Sequence, residues 1–219
     1  MNGSLNYLWL NYESLGGKGG ERIPAHLLDN VLRTRDENPD YTVNFWHNSK
    51  QWGDADLQLL AMQSEGLVLN DLNDFSTYTD CPLYSSPLID RPEALRAWSE
   101  IDLAKTLLCS ITLPMFEQAY YSDMDIAGLK LNSREIQTPI RKHGLIVGKG
   151  NYSAKYPFEN QFFGFDKRRL SLVDNLFKRT LVSAVSYDAE LNGFPAFTSV
   201  LRRERTEVLE GIGYIPKYI

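Results

Sequence analysis

The sequence predicts an α/β fold in which a central, mostly parallel sheet is flanked by helices. Residues 6–12 form a compact aromatic and aliphatic run, and residues 42–46 form a second run of β-branched and aromatic residues. Both runs are typical of buried strands. The segment between them has apolar residues at helical spacing. A strand, a helix and a strand in close succession indicate two parallel strands joined by a right-handed crossover.

The first half of the chain continues with alternating helices and strands. The first helix is predicted to begin at Pro24, because proline is favoured at the first helical position, and to end before Pro39. Its buried stripe consists of Leu27, Leu28, Val31 and Leu32. A helix over residues 54–63 and a strand over residues 67–72 follow. Residues 74–92 are rich in Ser, Thr, Pro and Asp and are predicted to form a long loop.

The longest predicted helix comes next and starts at Pro92-Glu93. Its buried face is predicted to contain Leu95, Trp98, Ile101, Leu107, Leu108 and Ile111. A short strand over residues 118–122 comes next. Short strands over residues 128–131 and 144–148 are expected on either side of a basic segment. An aromatic strand around Phe162 and Phe163 and a helix over residues 170–186 complete the pattern.

Composition excludes several classes of function. The chain has 219 residues, 43% hydrophobic and 23% charged, which suits one domain with an ordinary core. Its net charge of −5 gives no electrostatic basis for binding nucleic acid or an anionic membrane. Cys81 and Cys109 stand beside apolar residues and are predicted to be reduced core thiols. No apolar run reaches the length of a membrane span and no signal pattern opens the chain, so we expect a cytoplasmic protein.

The predicted strand over residues 118–122 ends in two carboxylates, Asp123 and Asp125. In a bend just past a strand both can converge on one hard divalent cation, and a phosphate commonly completes the coordination of such an ion. The pattern therefore predicts a metal clamp for a phosphorylated substrate. The alternative is a solvated acidic turn, since the same triplet also occurs at Asp54 and Asp56.

The long helix that precedes this strand carries Asp102 and Lys105, which are neighbours on one side of a helix. One interpretation is an ordinary surface ion pair worth a few tenths of a kcal/mol. The other is a role in the same site as Asp123 and Asp125, because the pair comes directly before the strand that ends in them.

Taken together, these features resemble the GT-A glycosyltransferases of the DXD sugar-binding-region type. The resemblance covers residues 5–126 and rests on the order of five features: the Tyr7-Leu8-Trp9 strand, the Ile23-Pro24 helix start, Asn38-Pro39-Asp40-Tyr41 before a strand ending in Trp46, the helix with Ser99, Asp102 and Lys105, and the aromatic strand closing on Asp123 and Asp125. The family includes the catalytic domains of clostridial glucosylating toxins and mannosyltransferase-like enzymes. The compact chain is also similar to glycosyltransferase domains encoded by chlorella viruses.

The resemblance implies a role for each residue that matches the family pattern. Trp9 would stack on the base of a nucleotide-sugar. The main chain of Leu8 and Leu10 would contact the base edge, with Asn11 beside them. Asp102 would bind ribose or sugar hydroxyls, and Lys105 would stand near the phosphates or sugar, where the family has arginine. Asp123 would bind the sugar or ribose and assist with the ion, and Asp125 would be the main ligand of Mn²⁺ or Mg²⁺.

Two departures from the family pattern concern the donor. Leu113-Pro114-Met115-Phe116 replaces the pair of glycines that the family has before this strand, and the spacing from helix to triplet is longer. Lys105 also cannot make the bidentate contact that an arginine makes. Both departures bear on the identity of the donor more than on the class of reaction.

The resemblance also implies a division of one domain, residues 1–219, into a nucleotide-sugar half, residues 1–126, and an acceptor half, residues 127–219. In the second half Glu159 and Asn160, among aromatic residues, suit sugar binding. A late loop with Asp188, Glu190 and Asn192 is the expected source of a third metal ligand, a donor contact or a general base. The alternative for Asn192 and Gly193 is a plain type I′ hairpin turn.

The resemblance thus implies a metal-dependent glycosyltransferase that moves a hexosyl or deoxyhexosyl unit from a nucleotide-diphospho-sugar, with UDP-sugar favoured, to a glycan or protein acceptor. The family resemblance favours retention at the anomeric carbon. We expect no nucleic-acid partner and a monomer or a part of a longer multidomain chain. If the chain is viral, the host cytoplasm is its expected location.

Two alternatives come from other classes of protein. A phosphatase of the haloacid dehalogenase type also uses Asp-x-Asp after a strand with Mg²⁺, but its motif normally lies on the first strand and continues with Thr or Val two residues on. Here Ile126 and Ala127 follow, in the middle of the chain. The other alternative is a sugar- or nucleotide-binding module without catalysis.

Overall fold

Six strands form one mixed sheet in the order β3-β2-β1-β4-β6-β5. The computed structural model describes residues 3–10, 23–51, 61–80, 93–153 and 156–186. The strands are β1 (Gly3–Trp9), β2 (Tyr41–His47), β3 (Val68–Asp71), β4 (Gln118–Ser122), β5 (Leu145–Ser153) and β6 (Tyr156–Asp166). The first four are parallel, and β6 runs antiparallel to both β4 and β5. The predicted α/β fold with a mostly parallel sheet is confirmed.

Helices cover both faces of the sheet. They are α1 (Ala25–Glu37), the single turn α2 (Ser76–Thr79), α3 (Glu93–Thr112), α4 (Arg134–His143) and α5 (Leu170–Ser186). An apolar cluster that includes Tyr121, Phe163, Leu107 and Leu176 joins α3 and α5 to one face. A second cluster, with Tyr120, Phe162, Val31 and Ile140, joins α1 and α4 to the other. No helix of the described residues is long and apolar enough to cross a membrane.

Most of the predicted elements are confirmed where the structure describes them. The first helix begins directly after Pro24 and ends at Glu37, and its stripe faces the core through the fully buried Val31. The last helix has the predicted bounds. Phe162 and Phe163 are buried, as expected of core aromatics, and Cys109 is a buried thiol. Cys81 and residues 54–60 of the second predicted helix lie outside the described residues.

Residues 128–131 do not form the predicted strand. The segment begins at Gly128, whose φ of 70° is left-handed, and then runs as irregular backbone with Leu129 and Leu131 buried. The side chain of Asn38 donates to the Leu129 carbonyl at 2.6 Å and accepts from the Leu131 amide at 2.7 Å. Gln137 donates to the Leu131 carbonyl at 2.8 Å. Buried backbone groups need partners, and here side chains replace a neighbouring strand.

The predicted loop over residues 74–92 is also partly wrong. A single 3-10 turn spans Leu72–Asp74, and α2 follows at Ser76–Thr79. The Asp71 side chain accepts a hydrogen bond from the Asn73 amide at 3.0 Å and so supports this turn. Aspartate commonly stabilises turns in this way, although the polar composition alone indicated a loop. Residues 81–92 lie outside the described residues.

The strand order reverses beside β1. The chain passes from β1 to β2 and β3 on one side, and then returns to place β4 against the other side of β1. In sheets of this kind, ligands bind in the crevice outside the carboxyl ends of the strands at the point of reversal. The fold therefore directs attention to the ends of β1 and β4.

Candidate functional site

The candidate site lies where β1 and β4 end. The two strands run parallel, and Asn6 is in register with Tyr121. β1 ends at Trp9, and β4 ends at Ser122 directly before Asp123. The same edge of the sheet therefore holds the aromatic end of one strand and the acidic end of the other.

The two predicted carboxylates lie in one turn but differ in their surroundings. The Ile126 amide donates to the Asp123 carbonyl at 3.2 Å, which closes the turn, and the Asp123 amide donates to the Gln161 carbonyl of β6 at 2.7 Å. Asp123 is half-buried, whereas Asp125 is exposed. One carboxylate is thus held by the protein and the other faces solvent.

Asp123 is held by two side chains. Lys105 of α3 places its Nζ 2.8 Å from Oδ1 and 3.2 Å from Oδ2. The Tyr121 hydroxyl donates to Oδ1 at 2.5 Å, and the Lys105 ammonium lies 5.3 Å from the centre of the Tyr121 ring. Burial and the Asp123 charge raise the pKa of Tyr121 far above its usual value, so the phenol stays a hydrogen-bond donor at neutral pH.

The interpretation of Asp102 and Lys105 as a surface ion pair is wrong. Lys105 is buried, with 7% of its surface exposed, and its carboxylate partner is Asp123. Ionised lysines are rarely buried without a partner, and the partner here comes from β4 instead of the same helix. The physical reason is that α3 packs with this side against the sheet, so Lys105 reaches the strand ends and not solvent.

Asp102 has its partner on β6, whereas the partner of Lys105 follows β4. Its Oδ1 accepts a hydrogen bond at 2.7 Å from the Asn160 amide of β6, and Asn160 is itself buried. Burial raises the pKa of Asp102 to about 6, and the negative Asp123 adds to this increase, while Lys105 and the Asn160 hydrogen bond oppose it. Asp102 and Asp123 are therefore two carboxylates that act on one another electrostatically, and Lys105 acts on both.

Asp125 meets the first requirement of a metal ligand. Its carboxylate is exposed, and among the described residues none donates a hydrogen bond to it or pairs with it. No group of three or more His, Cys, Asp or Glu residues in the described part of the chain could hold an ion by itself. A cation at Asp125 would take its remaining ligands from water and a bound phosphate, as Mg²⁺ usually does.

The end of β1 provides the aromatic side of the edge. Leu8 points into the α3 face of the sheet, while the half-buried Trp9 packs against the cluster of the α1 face, which includes Met124 between the two aspartates. The indole Nε1 is buried and has no hydrogen-bond partner among the described residues. Leu10 packs against the cluster on the side of Leu8.

Several predicted site residues lie outside the described residues. These are Asn11 of the predicted nucleotide site and Asp188, Glu190 and Asn192 of the predicted late loop. Glu159 lies in β6, but its side chain is likewise not described. The residues that the structure does bring together are Asp102, Lys105, Asp123 and Asn160, with Asp125 in the same turn as Asp123.

Two features of this edge were not predicted from the sequence. Tyr121 stands two residues before Asp123 and so shares its side of the strand, a spacing that could have revealed it. Glu100 is buried on α3 and accepts a hydrogen bond from the Tyr78 hydroxyl, which in turn accepts one from Asn48 after β2. Burial raises the pKa of Glu100 to about 8.

Comparison with solved structures identifies the fold. The chain is similar to the PaToxG glycosyltransferase, with a TM-score of 0.62 and 18% identity over 94% of this chain and 72% of that one. It is also similar to the bacterial N-acetylglucosamine transferase NleB, with a TM-score of 0.54 and 11% identity over 97% and 91% of the two chains. Mouse xyloside xylosyltransferase 1 gives a TM-score of 0.50 and 10% identity over 92% and 80%.

No protein-family model matches the chain, and no curated protein matches it at a significant level. At these levels of identity the solved structures establish the fold alone. The chain has the GT-A fold, with the sheet order and flanking helices described above.

Proposed function

We propose that this protein is a glycosyltransferase that uses a nucleotide-diphospho-sugar, with a UDP-sugar as the preferred class of donor. It would transfer a hexosyl or deoxyhexosyl unit to a glycan or protein acceptor. The observation that carries the proposal is the pairing of Lys105 with Asp123 beside the exposed Asp125, at the edge where the strand order reverses. The GT-A fold supports the same class of reaction.

The charges at this edge suit a diphosphate. Transfer breaks the bond between the anomeric carbon and a phosphate oxygen, and negative charge develops on the departing diphosphate. Lys105 is a buried cation one side chain away from the turn, where a positive charge stabilises that developing charge. Asp102, one helical turn before Lys105, is the candidate to accept hydrogen bonds from ribose or sugar hydroxyls.

The residues fit a divalent ion, Mn²⁺ or Mg²⁺, because such hard cations prefer carboxylate oxygen ligands. Asp125 offers a carboxylate without a competing partner among the described residues, and Asp123 stands in the same turn. Bound there, the ion would neutralise the two phosphates of the donor. Asp123 would hold Lys105 and bind donor hydroxyls, while the late-loop residues Asp188, Glu190 and Asn192 remain candidates for a further contact.

A retaining course is the proposed stereochemistry. In that course the acceptor oxygen bonds to the anomeric carbon on the face that the phosphate leaves, and the departing phosphate oxygen takes the acceptor proton. No protein base is needed. An inverting course would need a base on the opposite face, for which Glu159, Asp188 and Glu190 are the candidates.

The phosphatase alternative receives no support from the topology. Its motif belongs at the end of the first strand, whereas Asp123 follows β4, the fourth strand among the described residues. A binding module without turnover is distinguished by experiment, because it would bind nucleotide but would not release free sugar from the donor.

A thermal-shift screen tests the proposal. UDP-glucose, UDP-N-acetylglucosamine, GDP-mannose and dTDP-glucose are each added with Mn²⁺ or with EDTA, and hydrolysis of the stabilising donor is then followed. We expect one nucleotide class to raise the melting temperature with Mn²⁺ and much less with EDTA, because a ligand of the folded state stabilises it. Slow release of free sugar should accompany that shift.

Three results would contradict the proposal in different ways. A full increase of the melting temperature in EDTA would show that donor binding does not require a metal ion. A shift without sugar release would favour a binding module. Release of phosphate from p-nitrophenyl phosphate, with no response to any nucleotide-sugar, would favour a phosphatase.

A further inference from the structure

Asp102 and Lys105 are separated by one helical turn, yet they do not form the ion pair that this spacing favours. Asp102 accepts a hydrogen bond from Asn160 at 2.7 Å, and Lys105 pairs with Asp123 at 2.8 Å. Two partners from β6 and from the end of β4 have therefore separated two neighbouring opposite charges on α3.

Asn160 reaches Asp102 because β6 is irregular at this point. Val147 of β5 pairs with Phe163, but the next residue of β5, Gly148, pairs with Glu159. Residues 160–162 of β6 thus lie opposite no residue of β5 and form a bulge. Bulges redirect side chains and are common beside active sites. Here the redirected side chain is an amide with 6% of its surface exposed.

An amide suits this position because it donates a hydrogen bond without carrying charge. The described charged groups that act on Asp102 are Lys105 on its own helix and Asp123 beyond β4, and the neutral Tyr121 phenol also faces it. From α5, Asp174 instead accepts a hydrogen bond from Ser110, two turns further along α3. Among the described residues, Lys105 is the cation that acts on Asp102, so without the Asn160 donor its ammonium would be the group available to satisfy the Asp102 carboxylate.

We propose that Asn160 is a positioning residue that holds Asp102 apart from Lys105, so that Lys105 remains paired with Asp123 and available to the diphosphate of a donor. The hydrogen bond between Asn160 and Asp102 and the ion pair between Lys105 and Asp123 are geometric observations that do not depend on the proposed function. Their consequence for the reaction rests on the proposed function.

A double-mutant cycle tests the pairing without any ligand. The variants are Asn160→Leu, which keeps the branched shape of the side chain but removes the donor, Lys105→Met, and the combination of both. In the double variant Asp102 loses both its present donor and its replacement. We therefore expect the unfolding equilibrium constant to rise at least about threefold more than the two single changes predict together. Additive effects would overturn the proposal.

A matched control is available on the same helix. Ser110→Ala also removes a hydrogen bond that joins α3 to a neighbouring element through a carboxylate, but away from the site. Its effect should be additive with that of Lys105→Met. If Asn160→Leu does not fold, Asn160→Ser takes its place in the cycle, since serine is smaller than leucine and does not crowd the site, and its short hydroxyl cannot reach Asp102 at the same distance.

The functional arm uses UDP-glucose hydrolysis with Mn²⁺ and the affinity for uridine, which lacks the diphosphate that Lys105 would face. In Asn160→Leu we expect kcat for UDP-glucose to fall at least about tenfold, while the Kd for uridine changes less than about twofold. Equal losses in both quantities and in the melting temperature would indicate a merely structural role. If the wild-type protein binds no UDP-glucose at all, the UDP-sugar proposal fails, and the cycle still decides the role of Asn160.

Discussion

Lys105 and Asp123 form an ion pair between residues 18 positions apart, with 2.8 Å between Nζ and Oδ1, at an edge where side-chain exposure is 8% for the lysine and 22% for the aspartate. Charges with so little solvent around them depend on each other, because neither is well hydrated. The pair is therefore both a structural contact and the main electrostatic feature of the site. The predictions that follow separate these two roles.

Removing the lysine charge should destabilise the protein. In Lys105→Met the Asp123 carboxylate keeps the Tyr121 hydrogen bond but loses its cation, and we expect the free energy of unfolding to fall by about 3 kcal/mol. Lys105→Arg keeps the charge and should lose less. Urea denaturation measures both. The control is Lys167→Met, which breaks an exposed pair with Glu117 of 2.7 Å and should cost less than about 1 kcal/mol. Equal losses in Lys105→Met and the control would contradict the prediction.

Asp125 should matter for activity and hardly for stability. Because its carboxylate is exposed and has no partner among the described residues, Asp125→Ala should leave the melting temperature nearly unchanged. The same variant should abolish the hydrolysis of nucleotide-sugar that depends on Mn²⁺. Isothermal titration of Mn²⁺ in the presence of UDP provides a second measurement. Asp29→Ala, an exposed carboxylate on α1, is the control and should behave as wild type; wild-type activity in Asp125→Ala would remove this residue from the metal site.

Trp9 tests whether the end of β1 binds a base. If the indole stacks on the base, Trp9→Ala should weaken UDP binding by roughly 1–3 kcal/mol, and Trp9→Phe should weaken it less. Trp9 also packs against the apolar cluster of the α1 face, so its truncation will reduce stability as well. Leu32→Ala, in the same cluster but on α1, separates the two effects, because it should lower stability without changing UDP affinity. Unchanged affinity in Trp9→Ala would exclude stacking.

The sheet could be predicted largely from the sequence because each strand is indicated by the composition of its own few residues. β1, β2 and β4 are short apolar runs with clear ends, and the last helix has uninterrupted helical spacing from Leu170 to Ser186. The failure at residues 128–131 has the opposite cause. The backbone partners there come from the side chain of Asn38, which is 91 residues away from Leu129 in the sequence. Apolar content indicated burial correctly, but burial was achieved without a strand.

In the candidate site, too, the contacts between residues distant in the sequence could not be predicted. Spacing identified Asp102, Lys105, Asp123 and Asp125 as candidates, but it left open whether Lys105 pairs with its helical neighbour Asp102 or belongs to the site of Asp123. The actual pairing depends on which side of α3 faces the sheet and on a bulge in β6 that brings Asn160 to Asp102. Neither feature leaves a periodic signal in one sequence. The residues of a site can thus be predicted more readily than the contacts among them.

Glu100 provides a prediction about pH. Burial raises its pKa from an ordinary value of 4.5 to about 8, and the Tyr78 hydroxyl is its hydrogen-bond donor. Between these two values the folded protein holds a proton that the unfolded chain has released, so stability falls as the pH rises. The expected slope is about −1.4 kcal/mol of unfolding free energy per pH unit, and this loss of stability ends at about pH 8.

The variant Glu100→Gln can still accept a hydrogen bond from Tyr78 but does not titrate. Urea denaturation from pH 5 to pH 9 should therefore show the variant gaining on wild type with that slope, whereas Glu117→Gln, an exposed carboxyl, should follow wild type throughout. Parallel curves for wild type and Glu100→Gln would show that the Glu100 carboxyl titrates normally.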